Sequence, residues 1–496
     1  MDVRAVTTAE RTEIERRTGR SCKVTIADLD AAMAAFEVAL DETGARIKAR
    51  TSATRRQTGS PAGWFEAYHN FGEIVGWYEA RASEHQDIAV WVPNISPTSL
   101  LTPEGRAISA IRITGTGDAT NRKRVYFQCA IHAREWISPA VCMYFVNHLL
   151  TQHAAGDAAV VALLGLTELI VVPVVNPDGY SYTWTSNRLW RKNRQSNSPG
   201  SGCVGTDLNR NYKDRWSSGV GTSSDPCSDT FKGAAAESAP EISITTDYYR
   251  SLRPIYGAID FHSYSQLILR PFGFTSAHSP HEREHVSLGN AMRSAIFAVN
   301  SVDFTSMKAA GIYPTSATSG DWFYGDDANA CGLNSGFQPY ALCIELRPMS
   351  GSNRGFQLGA DEIIPSGEEM IPALLLFINT AVAEPLSYIQ YDASAPDQPV
   401  CLCTPCSGLG GTNIECVDDA ECCSGVCSRK GMSSKCTSFT ETCVAPTTAA
   451  PTPPPATPTT PPPTAPPVSC AGRNQVCSDN ADCCNSLSCQ SNGKCR

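Results

Sequence analysis

Apolar residues in this chain gather in short runs separated by longer stretches of mixed polarity, and the runs read as strands. Five stand out, over Ile111–Ile113, Val125–Ile131, Leu169–Val175, Ile255–Phe261 and Tyr340–Leu346. In the second, Val125, Phe127, Cys129 and Ile131 alternate with residues that are mostly apolar too, as in a strand covered on both faces. Helical stretches lie between the runs. The alternation predicts one α/β domain over about 64–385, built on a mixed, mostly parallel twisted sheet with helices on both faces. Helix starts are marked by Ser138-Pro139 and by the S-x-x-E pairs Ser238/Glu241 and Ser366/Glu369. Before this domain, Ile26, Leu29, Met33, Phe36 and Leu40 share one helical face. A basic, turn-prone segment follows, in which Arg50, Arg55 and Arg56 offer a trypsin-like cut or simply a solvated linker.

Beyond residue 400 the periodicity stops, and 15 of the 22 cysteines lie there. Cys406, Cys416, Cys422, Cys423, Cys427 and Cys436 form one dense group within 401–443; Cys401, Cys403 and Cys443 remain unplaced beside it. Cys470, Cys477, Cys483, Cys484, Cys489 and Cys495 form another over 470–496. Each contains an adjacent pair (DDAECC, DNADCC), and the Pro/Thr-rich stretch 445–469 between them reads as an extended spacer. With no histidine nearby, disulfides are a better reading than zinc, and they imply an oxidising compartment. MDVRAVTTAERTEIERR has no apolar signal core, so the natural chain is expected to start upstream of Met1. The net charge of -9 argues against nucleic acid and anionic membrane as partners, and no apolar run of about 20 residues is present to span a bilayer.

The polar clusters lie at the predicted strand ends, where open α/β sheets gather their chemistry. After Val125–Ile131 come His132, Arg134 and Glu135. An imidazole and a carboxylate three residues apart can reach one zinc ion, with Arg134 beside it for an anion; a solvated turn is the alternative. His262 ends another run and offers a third ligand, although a lone histidine there is more often structural. Glu345 sits between Ile344 and Leu346, where an unpaired charge is costly and implies a partner or a purpose. NPDGY, Asn176 to Tyr180, makes a turn. Arg188 and Arg191 are three apart, either a functional pair or a solvated basic patch. Asn209 and Arg210 suit a carboxylate, and Asp207 suits the spare N–H of a metal-bound histidine. Tyr313 falls in a loop-like segment, as a surface tyrosine or a mobile one.

The succession HAREW, NPDGY, NRLWRK, DLNRN, HSYSQ, IY…SGDW and IELRP resembles the zinc metallocarboxypeptidases of the pancreatic A/B family, over about residues 1–385. The resemblance implies a partial inhibitory propeptide over 1–56 and a catalytic domain over 60–390. It implies one Zn2+ held by His132, Glu135 and His262, with Glu345 as general base and Arg191 stabilising the oxyanion. Asn209 and Arg210 would grip the substrate's terminal carboxylate, Tyr313 would close over it, Arg134 and Arg188 would line the outer cleft, and Asp207 would support a zinc ligand. Cys203 and Cys227 match the family's disulfide. The tail modules resemble cystine-knot miniproteins; such a tail suggests a ligand on a surface or polymer, or serves only to protect or extend the enzyme. The function so implied is that of a secreted exopeptidase acting on peptide and protein C-termini, made as a zymogen and activated by a trypsin-like protease. The alternative is a non-catalytic carboxypeptidase-like binding protein working through its tail. An endopeptidase is disfavoured, because no H-E-x-x-H occurs.

The family's specificity position falls on Gly320. No aspartate stands there, which disfavours Lys and Arg ends, and the expected preference is apolar, aromatic or broad. Lys308, if it points inward, would instead favour acidic ends. Asp326 to Gln338 reads as an insertion, in which Cys331 could bridge to Cys343.

Overall fold

The computed structural model describes residues 61–116, 122–197, 202–325 and 337–387, with the backbone of 427–430 and 433–436. The described elements begin with α1 (Phe71–Glu84), β1 (Ala89–Val92), β2 (Ala110–Thr114), β3 (Lys123–Cys129), α2 (Ile137–Ala154), α3 (Ala158–Leu166), β4 (Thr167–Val172) and α4 (Pro177–Thr185). They continue with α5 (Pro240–Leu252), β5 (Ile255–Ser265), β6 (Leu267–Arg270), α6 (Glu282–Asn300), β7 (Thr305–Lys308), α7 (Ser319–Tyr324), β8 (Phe337–Gln338), β9 (Tyr340–Met349), α8 (Ile363–Ala383) and β10 (Leu386–Ser387). The chain divides into two units, Met1–Val444 and Ala445–Arg496. In the first of these, β11 (Cys427–Lys430) and β12 (Ser433–Cys436) pair antiparallel, with Cys427 opposite Cys436. The expected propeptide, its cleavage sites, Cys331 and the rest of the tail lie outside the described residues.

Eight strands form one sheet in the order β1-β2-β4-β3-β5-β9-β6-β7. Its centre, β4-β3-β5-β9, is parallel, and antiparallel pairs lie towards both edges. Every residue on β3 from Val125 onward is buried, because each face has its own cover. Val125, Phe127 and Cys129 pack into a cluster with α2, α6 and α8, whereas Tyr126 packs with α5 and α7 on the other face. Each large apolar side chain buried this way contributes about 1.5–3 kcal/mol.

The parallel register is what positions the site. Cys129 lies opposite Phe261, and His262 lies opposite Glu345, so β3, β5 and β9 deliver their polar ends side by side at one edge. The five expected strands are present. β1, β6 and β7 were not legible: each has four residues, and half-exposed positions break the alternation in β1 and β7.

Three predicted helix starts are corrected. Ser138 lies inside the first turn of α2, where its hydroxyl accepts from Ala130 N–H and donates to the Phe261 carbonyl. α5 has Ala239 rather than Ser238 as its N-cap, with no side-chain cap, and Glu241 is buried against Asn193. Ser366 and Glu369 lie within α8, where Glu369 binds Arg347.

Candidate active site

The first cluster depends on a sharp exit from β3. Ala130 adopts φ of 54°, a left-handed conformation that costs a non-glycine residue on the order of 1 kcal/mol. The turn is held by Ser138 and by the Asn176 N–H bond to the Ala130 carbonyl at 3.2 Å. Asn176 also donates through Nδ2 to the Ile131 and Lys192 carbonyls and accepts from Gly179 N–H, so the NPDGY turn caps α4 and braces this loop. One turn further, His132 Nδ1 lies 2.8 Å from Glu135 Oε1. His262, 130 residues later, brings its Nδ1 within 3.2 Å of His132 Nδ1 and 3.1 Å of Glu135 Oε2. All three side chains are buried, and one ligand atom from each lies within 4.8 Å of the others.

This convergence fits a cation. His132 Nε2 faces Asp207 Oδ1 at 3.2 Å, and His262 Nε2 faces Asp260 Oδ2 at 3.0 Å. Each Nε2 is thus held by a carboxylate acceptor, and both rings turn their Nδ1 atoms toward each other and toward Glu135. A cation placed among them would be shared by all three donor atoms. Two imidazole nitrogens and one carboxylate are a zinc donor set.

The surroundings are strongly polarised. Burial would raise the Glu135 carboxyl, but the His132 and His262 imidazoles outweigh it and hold it well below the carboxylate range. Burial opposes the Asp207 charge too, and Arg191, Arg210 and His132 reverse that effect, leaving the acid firmly ionised. Glu345 differs. Burial, countered by His262 and reinforced by Glu135, pushes its carboxyl up to about 8. A bound divalent cation would draw it back down.

One cavity is lined by His132, Glu135 and His262 together with Arg134, Arg191, Asn209, Arg210, Tyr313 and Glu345. Arg191 is bidentate on Asp207 Oδ2, at 3.0 and 2.9 Å, and leaves Nη1 beside His132 at 3.2 Å. Arg210 donates through Nη2 to the Tyr313 hydroxyl at 3.1 Å, and Asn209 accepts from Ser319 N–H at 2.8 Å. The Arg134 guanidinium lies 4.2 Å over the Phe356 ring at the rim.

Two expected residues stand elsewhere. Arg188 is buried outside the cavity lining: it stacks 3.8 Å over Trp136 and donates to the Arg134 and Phe356 carbonyls. Gly320 is not in the lining either, whereas Cys343 is. Lys308 does not point inward; its ammonium donates to the Ser276 carbonyl at 2.9 Å. Cys203 and Cys227 are bonded as expected, and Cys343 is a free thiol. Two features escaped the sequence. Asp260 supports His262, and an acid two residues before it on the same strand face was the available signal. Cys129–Cys142 ties the end of β3 to α2, on either side of the ligand loop, and nothing in their spacing pointed to it.

Residues 87–373 match the model of the zinc carboxypeptidases. The chain belongs to the zinc carboxypeptidase family. Among curated relatives, metallocarboxypeptidase A of Arthroderma otae is 34% identical over 331 residues, covering 64% of this chain and 72% of its own. Carboxypeptidase B of Bos taurus is 34% identical over 345 residues, covering 68% and 76%. Among solved structures, carboxypeptidase A from Helicoverpa armigera superposes with a TM-score of 0.63 at 25% identity, covering 75% of this chain and 86% of that one. The protein is thus a metallocarboxypeptidase, a zinc-dependent hydrolase acting at peptide C-termini. Among the described residues no single helix is long and apolar enough to cross a membrane.

Proposed function

We propose that this metallocarboxypeptidase is secreted as a zymogen and removes single C-terminal residues, with an apolar or aromatic preference, from peptides and proteins. One arrangement supports the reading: the His132–Glu135–His262 cluster, Glu345 and the Asn209/Arg210 pair share one cavity. His132, Glu135 and His262 hold the zinc. When bound, zinc polarises the scissile carbonyl and acidifies a water molecule. Glu345, in the same cavity as the three ligands, takes that water's proton and delivers it to the leaving amine. Arg191, held by Asp207, donates to the oxygen on which negative charge develops. Asn209 and Arg210 grip the free terminal carboxylate, and Tyr313, already bonded to Arg210, closes over it. A clamp at a set distance from the metal admits only the last peptide bond. Arg134 contacts the substrate further out. Arg188 acts indirectly, by holding the Arg134 and Phe356 carbonyls.

The leader with Arg50, Arg55 and Arg56 supports zymogen activation by a trypsin-like protease, and the cysteine-rich tail supports secretion and a tail ligand on a surface or polymer. The test uses trypsin-processed, zinc-loaded protein on peptide pairs differing only in a C-terminal carboxylate or amide. The carboxylate peptide should be cut and the amide spared, and Glu345→Gln should lower kcat about 10²–10⁴-fold while zinc content stays at the wild-type value. Equal cleavage of both peptides would refute the proposal.

A further inference from the structure

The specificity end of the cleft has an unexpected floor. β9 turns Cys343 and Glu345 to the same face, two residues and about 7 Å apart, and Cys343 is flanked in the sheet by Asp260 and Leu269. Leu269, Gly273, Ala309, Ile312 and Thr318 line the same cavity as Cys343, and none carries a charge. The charged lining residues belong to the metal cluster, the base, the oxyanion group, the clamp and the outer rim. A Cβ built on Gly320 would meet one atom within 4 Å, Cys343 Sγ at 2.8 Å. That is far inside van der Waals distance, so the sulfur and any side chain at 320 compete for one space.

Resting on the exopeptidase reading above, we infer that Cys343 is the specificity-determining residue: its sulfur forms an uncharged floor that selects aliphatic and aromatic C-terminal side chains, and position 320 acts only through it. A buried thiol behaves as a small hydrophobe. Burial, with the nearby Asp260 charge, pushes this thiol up to about 12, so it stays neutral at working pH. Asp260 is fully buried and is not among the residues lining the cavity, and its Oδ2 is engaged by His262 and the Ser319 hydroxyl. A lysine or arginine end would therefore lose hydration without gaining an ion pair.

The experiment compares activated, zinc-loaded full-length protein with Cys343→Ala, Gly320→Ala and the double variant, on peptides ending in Leu, Phe, Trp, Lys and Glu. Zinc content and thermal melting check folding. Wild type should favour Leu and Phe over Lys and Glu by at least about tenfold in kcat/KM. Cys343→Ala should raise the Trp:Leu ratio about tenfold, since one buried heavy atom in such a pocket is worth that much. Gly320→Ala should shift the ratio when Cys343 is present and leave it within about twofold when Cys343 is alanine, as coupled neighbours require. Should the alanine variant fail to hold zinc, Cys343→Ser, similar in size but polar, should cost apolar ends about tenfold. Unchanged ratios in the Cys343 variants, an equal Gly320→Ala shift in both backgrounds, or a preference for Lys or Glu would overturn the inference. No cleavage of any free peptide by zinc-loaded protein would sink the exopeptidase reading, and the inference with it.

Discussion

Replacing Asp260 by asparagine isolates the second carboxylate behind the metal site. Asp260 is fully buried on β5; its Oδ2 stands 3.0 Å from His262 Nε2 and also accepts from the Ser319 hydroxyl. Asparagine keeps the volume and one acceptor. It loses the charge, and it places an NH2 either against the His262 N–H or where Oδ1 has no hydrogen-bond partner. A hydrogen bond to a charged group contributes about 1.5–3 kcal/mol and a neutral one about 0.5–1.5. Losing such an outer partner lowers metal affinity about 10–100-fold, which is about 1.4–2.8 kcal/mol. Asp207 is the less clean probe, because it also anchors Arg191 through two bonds. The assay strips the protein of zinc, titrates zinc back against a chromophoric chelator and follows zinc release into excess chelator. Asp260→Asn should weaken zinc binding by the stated factor and speed its release, with the metal-free melting temperature little changed. A zinc affinity within about twofold of wild type would refute the argument, and the orientation of His262 would then rest on strand pairing alone.

Two further predictions concern buried titratable groups outside the reaction. His285 donates through Nδ1 to the His281 carbonyl and accepts from Ala341 N–H at Nε2, and burial pushes its imidazole down to about 4. Between about pH 6.5 and 4 the unfolded chain takes up a proton that the folded one refuses, so stability falls with falling pH; for this group the loss is about 3 kcal/mol. Denaturant titrations at several pH values should show His285→Gln with a flatter acid limb than wild type; identical slopes would contradict the assignment. Glu241 behaves oppositely. Burial pushes its carboxyl up to about 7, Asn193 supplies one bond, and its second oxygen has no hydrogen-bond partner. Its penalty therefore grows as pH rises from about 4.5 through 7, and Glu241→Gln should stabilise the protein at pH 8, by up to about 3 kcal/mol. A melting temperature at pH 8 no higher than that of wild type would refute this.

What was legible in the sequence was local. An apolar run needs only its own residues to declare a strand covered on both faces, and β3, β5 and β9 declared themselves in this way. The residue types at their ends, two imidazoles and two carboxylates, were legible for the same reason, and order along the chain carried the family resemblance. Short edge strands were not legible, because four residues with half-exposed positions carry too little alternation.

The tertiary structure alone decided distances between segments far apart in sequence. The register of β5 on β9 put His262 opposite Glu345, and it also put Asp260 beside Cys343. The packing of α7 against β9 set the Cys343 sulfur where a side chain at Gly320 would stand, which moved the specificity question from one residue to its neighbour. Arg188 was drawn out of the cleft by Trp136 and two backbone carbonyls, partners that no spacing in its own segment announces. Sequence determines what each side chain can do; which group it meets depends on sheet register and helix packing, which are properties of the whole chain.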